Sequence, residues 1–281
     1  MNTATADRTA LVPLVDADVL CYRVGFAAEK DEPIENVLHS VKKCVLDIMS
    51  TFPNAPDERL FLTGKGNFRN KVATQLEYKG HRKHMPKPQY YEEIREYLQR
   101  RFNAEVVDGM EADDALGINQ YSKYKATSVI ASIDKDMLMI PGWHYNFVKK
   151  ELRYVNKDAA YRAFFMQLLM GDMTDNIPGI RGLGPKTAAK LLGDETDPEK
   201  MYEIAQREYE RHYGDEWRDV IDEQAQLLWI LRSETEGCPF MSGSTSAWCP
   251  KPKGGKRGKV QESERDAVRA SSSHDDENPG Q

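Results

Sequence analysis

Four short runs of β-branched or apolar residues, at 11–15, 60–63, 105–107 and 127–133, alternate with longer segments whose apolar residues return at helical spacing. That spacing shows in Val37, Val41, Cys44, Val45 and Ile48, in Ile94, Tyr97 and Leu98, and in Ala115, Leu116 and Ile118. Alternating strand and helix periods predict a mostly parallel sheet covered by helices, because parallel neighbours need a crossover connection. Residues 143–148 and 152–154 read as a hairpin or edge pair beside it. From about residue 156 the pattern turns helical, with helices predicted at 157–170, 185–193, 198–213 and 216–233. Beyond Ser233 the periodicity ends in a stretch rich in Gly, Pro, Ser and charge, which reads as a disordered tail. The expected organisation is a flexible start at 1–10, an α/β unit at 11–155, a helical region at 156–233 and the tail at 234–281.

No apolar run among the 281 residues approaches the ~20 a membrane span needs, so membrane spanning is excluded. The first apolar patch is too short for a secretory signal, and a cytoplasmic location is expected. Cys21, Cys44, Cys238 and Cys249 form no C-x-x-C pair, so free thiols are expected and a zinc site is not. The net charge of −6 argues on average against a nucleic-acid partner, but the average hides the distribution. Residues 65–88 hold seven Lys or Arg against one acid, Glu77. KPKGGKRGK in the tail adds five basic residues, read as a solvated segment able to touch DNA phosphates.

The acids gather in four groups: Asp16 with Asp18; Glu111, Asp113 and Asp114; Asp134 with Asp136; Asp172 with Asp175. In an open parallel sheet, ligands bind beyond the carboxyl ends of the strands, and three of these groups fall there. Taken singly, EADD is an ordinary acidic helix start and DKD an ordinary turn. Taken together they are costly. Like charges about 4 Å apart repel by roughly 4 kcal/mol at an effective dielectric near 20, so the cluster calls for a cation. All-oxygen ligands favour Mg²⁺ or Mn²⁺ over zinc, and a pair of such ions is the usual device for in-line attack on phosphodiesters. This points to a nuclease. In the helical half, a glycine turn at 179–184 runs straight into a predicted helix bearing Lys186 and Lys190, an arrangement in which backbone N–H groups face a phosphate.

With these residues in view, the chain resembles the 5′ nuclease family that includes flap endonucleases, phage 5′-3′ exonucleases and the 5′ nuclease domain of bacterial DNA polymerase I. The resemblance runs from about residue 11 to 192. GDMTDNIPGIRGLGPKTAAKLL (171–192) is similar to the family's acidic segment running into its helix-three-turn-helix motif. EADDALG (111–117) and SIDKDM (132–137) resemble its two internal acidic motifs, and YKGHRKHMP (78–86) its helical arch or clamp. The resemblance implies a PIN-like, Rossmann-like catalytic domain with an arch at about 65–95, followed by a helix-hairpin-helix DNA-binding region.

Carried over by position, it implies that Asp16, Glu111 and Asp113 surround a first metal with Asp114 close by. Asp134, Asp136 and Asp175 would hold a second, and Asp172 would act from an outer shell. Lys79 and Arg82 would approach the scissile phosphate, and Tyr78 would either stack on a base or pack the arch. Gly182, Gly184, Lys186, Thr187 and Lys190 would bind the DNA backbone. The implied cofactors are two Mg²⁺ ions, replaceable by Mn²⁺, with K⁺ at the hairpin. The implied substrate is duplex DNA with 5′ ends or flaps, and RNA–DNA hybrid. One departure stands out: where the family places an Asp after its second strand, FLTGKGNFR has Thr63. The first ion is therefore expected to be weaker, more hydrated or assisted by Asp18. The alternatives are a PIN-like ribonuclease and a non-catalytic duplex-DNA-binding module. The natural context implied is phage or bacterial DNA replication, or breakdown of host DNA.

Overall fold

The computed structural model describes residues 7–240. Its centre is a six-stranded sheet of β1 (Val12–Asp16), β2 (Arg59–Thr63), β3 (Glu105–Val107), β4 (Ser128–Ala131), β5 (Gly142–Asn146) and β6 (Glu151–Val155), in the order β3-β2-β1-β4-β5-β6. The first five strands run parallel, and β6 returns antiparallel to β5 as the expected edge pair. The strand order turns back between β1 and β4, which places the switch point of the sheet beside Asp16.

Alternation along the strands divides the interior into two layers. Leu11, Val15, Leu60, Leu62, Val129 and Ala131 face one side with α1 (Ala17–Ala27), α2 (Ile34–Thr51) and α4 (Tyr91–Phe102). The stripe Val37, Val41, Val45 and Ile48 is what α2 buries there. Val12, Leu14, Phe61 and Ile130 face the other side with α5 (Ala112–Ile118), the short α3 (Arg69–Val72) and the helical half of the chain. That half consists of α6 (Lys157–Met170), α7 (Pro185–Leu192), α8 (Pro198–Tyr213) and α9 (Trp217–Leu228). It shares one continuous core with the sheet. Among the described residues, no helix is long and apolar enough to cross a membrane.

Three expectations change. Residues 65–95 do not make a helical arch: between β2 and α4 lie only α3 and a 3₁₀ turn at Gly80–His84, and the segment forms a low strap. Helix α9 ends at Leu228 instead of running to 233, because tertiary partners take the backbone that further turns would need. The carbonyls of Leu227 and Trp229 accept from Arg69, and the amide of Leu231 donates to Asp114. The chain also stays packed past residue 233. Cys238 and Phe240 are 3% and 6% exposed, and the Phe240 ring meets Phe165 at 4.9 Å, Tyr202 at 5.6 Å and Tyr161 at 5.8 Å. The rest of the predicted tail, with Cys249 and KPKGGKRGK, lies outside the described residues, as do residues 1–6.

Phe240 therefore belongs to the core of the helical half. Phe240→Ala is expected to cost about 3 kcal/mol in chemical denaturation, the usual range for truncating a buried aromatic; a loss below about 0.5 kcal/mol would return this segment to the tail.

Candidate active site

The carboxyl ends of β1, β3 and β4 deliver acids to one cleft of about 1290 Å³, lined among others by Asp16, Glu111, Asp113 and Asp134. Each sits where it does for a local reason. Asp16 ends β1 and caps α1, its Oδ1 accepting from Val19 N at 3.1 Å while Oδ2 accepts from Ser132 Oγ at 2.8 Å. Glu111 is the N-cap position of α5, and Asp113 lies in its first turn, where the helix dipole favours acids. Asp134 caps the 3₁₀ turn Lys135–Met139 by accepting from Asp136 N at 2.9 Å. Asp113 accepts no hydrogen bond among the described residues.

This crowding is visible in the acidities. Burial, then the charge of Asp18, pushes the Asp16 carboxyl up to about 7. Burial, then the charges of Asp16 and Glu111, pushes Asp113 well above the carboxylate range. Burial, followed by Asp134 and Asp172, raises Asp136 to about 7. Glu111 goes the other way: although burial opposes it, the Lys79 ammonium and the Arg69 guanidinium hold it below the ordinary range.

Asp136, in the 3₁₀ turn after β4, forms an adjoining group with Asp172 and Asp175, which the helical half brings in. The Gln167 amide links Asp136 (3.3 Å) to the buried Asp172 (2.7 Å). Asp175 lies under the strap, which is laid on the 172–176 turn by backbone and side chain alike. Lys79 N donates to Asp175 O at 2.9 Å, Arg82 Nε to Thr174 O at 3.0 Å, and Asn176 Nδ2 to Glu77 O at 2.8 Å. The basic side chains of the strap then reach the acids: Lys79 Nζ lies 2.6 Å from Glu111 and 3.5 Å from Asp175, and Arg82 Nη2 lies 3.0 Å from Asp175. Among the described residues, no three His, Cys, Asp or Glu side chains are arranged to hold an ion in this conformation.

One expected role is corrected, and two open alternatives are narrowed. Asp114 is a strut. It is fully buried, its two oxygens accept from both Nη atoms of Arg69 at 2.6 and 2.9 Å, and they also accept from Leu231 N and Glu111 N, which leaves no lone pair for a ligand. Tyr78 does not present its ring for stacking: it is 5% exposed, with its hydroxyl between Glu111 Oε2 (3.0 Å) and Asp175 Oδ2 (2.9 Å). Asp18 lines the cleft but is committed elsewhere, accepting from Arg95 Nη1 and from Thr63 N, both at 2.9 Å. The Thr63 hydroxyl in turn accepts from Ala112 N at 2.9 Å, so it steadies the start of the helix that carries Asp113. Arg69, Arg95, Gln167 and Ser132 escaped the sequence reading; the basic run around 65–88 contained the signal for Arg69 alone.

The glycine turn divides by role. A Cβ at Gly171 or Gly179 would strike backbone at 2.3 and 2.1 Å, and both have positive φ, so these two close the 171–179 loop on itself. Gly182 (φ 81°) and Gly184 face open space, and Lys186, Thr187 and Lys190 are exposed on α7, which begins with Pro185 at its first position. Its first amides lack intrahelical partners.

Comparison with known proteins matches this arrangement. Residues 11–167 match the 5′-3′ exonuclease N-terminal resolvase-like domain, and residues 162–233 the 5′-3′ exonuclease C-terminal SAM fold. The chain belongs to the 5′-3′ exonuclease family. Among its relatives in that family, DNA polymerase I of Caldicellulosiruptor bescii is 32% identical over 213 residues, covering 68% of this chain and 25% of that protein. The 5′-3′ exonuclease of Buchnera aphidicola subsp. Acyrthosiphon pisum is 31% identical over 157 residues, 51% of this chain and 54% of that one. The chain thus spans a quarter of the first and about half of the second. The D15 protein of bacteriophage T5, crystallised with metal ions, has the same fold at a TM-score of 0.56 and 17% identity, covering 77% of this chain and 88% of that one. The D15 flap endonuclease in a complex with DNA and metal ions superposes at 0.55 and 15% identity, with the same coverage.

Two neighbouring acids of α5 are therefore expected to respond oppositely in metal-free protein. The folded state keeps protons on Asp16 and Asp136 up to about pH 7 that unfolded carboxyls release near 3.8, so stability falls as pH rises through that window. Asp113→Asn relieves the crowding and raises the melting temperature in EDTA at pH 8 by about 2–4 °C, the shift that roughly 1 kcal/mol gives in a chain of this size, with little change at pH 5. Asp114→Asn strands Arg69 and costs about 3 kcal/mol at either pH. Equal effects of the two substitutions would refute the division between ligand face and strut.

Proposed function

We propose that this chain is a divalent-metal-dependent 5′-3′ exodeoxyribonuclease, hydrolysing phosphodiester bonds from the 5′ ends of duplex DNA and also cutting flaps and RNA paired to DNA. The observation that carries this reading is the convergence of Asp16, Glu111, Asp113 and Asp134 in one cleft beneath a strap bearing Lys79 and Arg82. In the helical half, an exposed glycine-led helix start follows the acidic 171–179 loop in the chain.

The donor set fits a hard cation. It is all carboxylate oxygen, Asp113 has lone pairs free of hydrogen bonds among the described residues, and Asp16 and Asp136 are weakened as acids by burial and then by neighbouring carboxylates, a crowding that a cation would relieve. We assign Asp16, Glu111, Asp113 and Asp134 to one ion and Asp136 and Asp175 to a second, with Asp172 orienting Gln167 and Asp136. Mg²⁺ is the expected ion, with Mn²⁺ able to replace it. When bound, such ions lower the pKa of water and offset the charge that builds on a phosphodiester during in-line displacement.

The chain's own residues supply the rest. Lys79 and Arg82, on a strap over the acids, are placed to neutralise a phosphate entering the cleft. Gly182, Gly184, Lys186, Thr187 and Lys190 take the duplex backbone, with K⁺ expected to accompany the phosphate at this turn. Backbone contact implies little sequence preference and strong salt dependence. Such work belongs to DNA replication or host-DNA breakdown in a bacterial cytoplasm, for a phage or its host.

Duplex DNA labelled separately at each end tests the reading. With Mg²⁺, the 5′ label is expected to leave early as short 5′-phosphorylated products, and EDTA or Asp134→Ala to stop this, with duplex binding in Ca²⁺ retained. Lys79→Ala is expected to slow single-turnover cleavage at least about 100-fold, the scale of a lost transition-state donor, while weakening binding only a few-fold. Binding without cleavage in wild-type protein would favour the non-catalytic module, and preference for matched RNA the ribonuclease.

A further inference from the structure

Glu111 and Asp175 come from opposite halves of the chain, and what stands between them is the ammonium of Lys79 and the phenol of Tyr78. Lys79 Nζ is 2.6 Å from Glu111 Oε1 and 3.5 Å from Asp175 Oδ2, and Asp113 also acts on its charge. Of the other nearby cations, Arg82 reaches Asp175 but not Glu111, and Arg69 and Arg95 are less free to move. Arg69 lies 3.8 Å from Glu111, but it is buried and spends its donors on Asp114, Leu227 O and Trp229 O. Arg95 is held by Asp18 and by Thr63 O. Lys79 by contrast is a point charge on a flexible stem, just before the 3₁₀ turn of the strap, in a left-handed backbone conformation (φ 53°) that lysine adopts only at a cost.

We propose that Lys79 is a resident counter-ion. In the metal-free protein its ammonium takes the charge-balancing place that a divalent cation takes in the loaded site, so that cation binding and release of Lys79 from Glu111 are one exchange. The proposal rests on reading the cleft as a divalent-cation site. It explains why the acids lie close yet no three of them converge: Glu111 and Asp175 are turned to the ammonium and the phenol. It also gives the strap a role before substrate arrives. Lys79 pairs with Glu111 while the site is empty, and is set free for phosphate only when another cation has replaced it.

The test uses Mn²⁺ alone, with no DNA, and follows free Mn²⁺ by electron paramagnetic resonance. Wild-type protein is compared with Lys79→Met, Lys79→Arg and Lys83→Met. Lys83 pairs with exposed Glu77 on the same strap, so Lys83→Met removes an equal charge without touching Glu111 or Asp175. Lys79→Met is expected to bind Mn²⁺ about tenfold or more tightly, because a competing charge within 4 Å is gone, while Lys79→Arg stays within about threefold and Lys83→Met within about twofold of wild type. A second readout is the melting temperature: Lys79→Met falls in EDTA and gains more from Mn²⁺ than wild type does. Equal or weaker binding in Lys79→Met, or an equal gain in Lys83→Met, overturns the exchange and leaves the cation site standing. Failure of wild-type protein and every variant to bind Mn²⁺ overturns the cation-site reading itself.

Discussion

The buried pair of Arg69 and Asp114 is the clasp on which the site hangs. Arg69 reaches from the start of the strap to Asp114 in α5 and to the carbonyls of Leu227 and Trp229 behind α9, while Asp114 also receives Leu231 N and Glu111 N. A desolvated pair of this kind is tolerated because each nitrogen of the Arg69 guanidinium donates and each oxygen of Asp114 accepts twice, and removal of either partner leaves a bare charge in the core. Three parts of the chain distant in sequence are thereby fixed to one another. The same clasp sets the N-terminus of α5, and with it the positions of Glu111 and Asp113. The acids that line the cleft, Asp16 and Asp113 among them, are crowded at a cost.

That cost is the usual signature of a site shaped for binding and not for stability. Asp16, Asp113 and Asp136 all resist ionisation, and the cations nearest the cleft, Lys79, Arg82, Arg69 and Arg95, each answer part of the negative charge. Thr63 fits the same economy. A further carboxylate at that position would stand beside Asp18; the hydroxyl found there instead caps α5 through Ala112 N, and Arg95 neutralises Asp18. The β2 side of the cleft is thus a neutral wall.

Much of this was legible in the sequence. Strand runs ending in acids and the change to helical spacing near residue 156 follow from short-range periodicity, and both appear as expected, down to the antiparallel edge pair. What escaped depends on partners far along the chain. Asp113 and Asp114 are indistinguishable in EADD, and which of the two faces inward is decided by Arg69 and Leu231, far along the chain. The arch was expected from the resemblance of YKGHRKHMP to the family's arch, but its helical content is small because Tyr78, Lys79 and Arg82 spend their polar groups on Glu111, Thr174 and Asp175. Residues 234–240 looked like tail because a single phenylalanine in a polar stretch carries no period, yet Phe240 fills an aromatic cluster built by α6, α8 and Trp229.

The central claim is that carboxylates from both halves of the chain form one divalent-cation site closed by the strap. Anomalous diffraction from crystals of the protein grown with Mn²⁺ tests it most directly. The account predicts Mn²⁺ in contact with Asp16, Asp113 and Asp134, with Lys79 Nζ withdrawn from Glu111. Mn²⁺ confined to the outer surface, with Lys79 still paired to Glu111 at saturating metal, would contradict it.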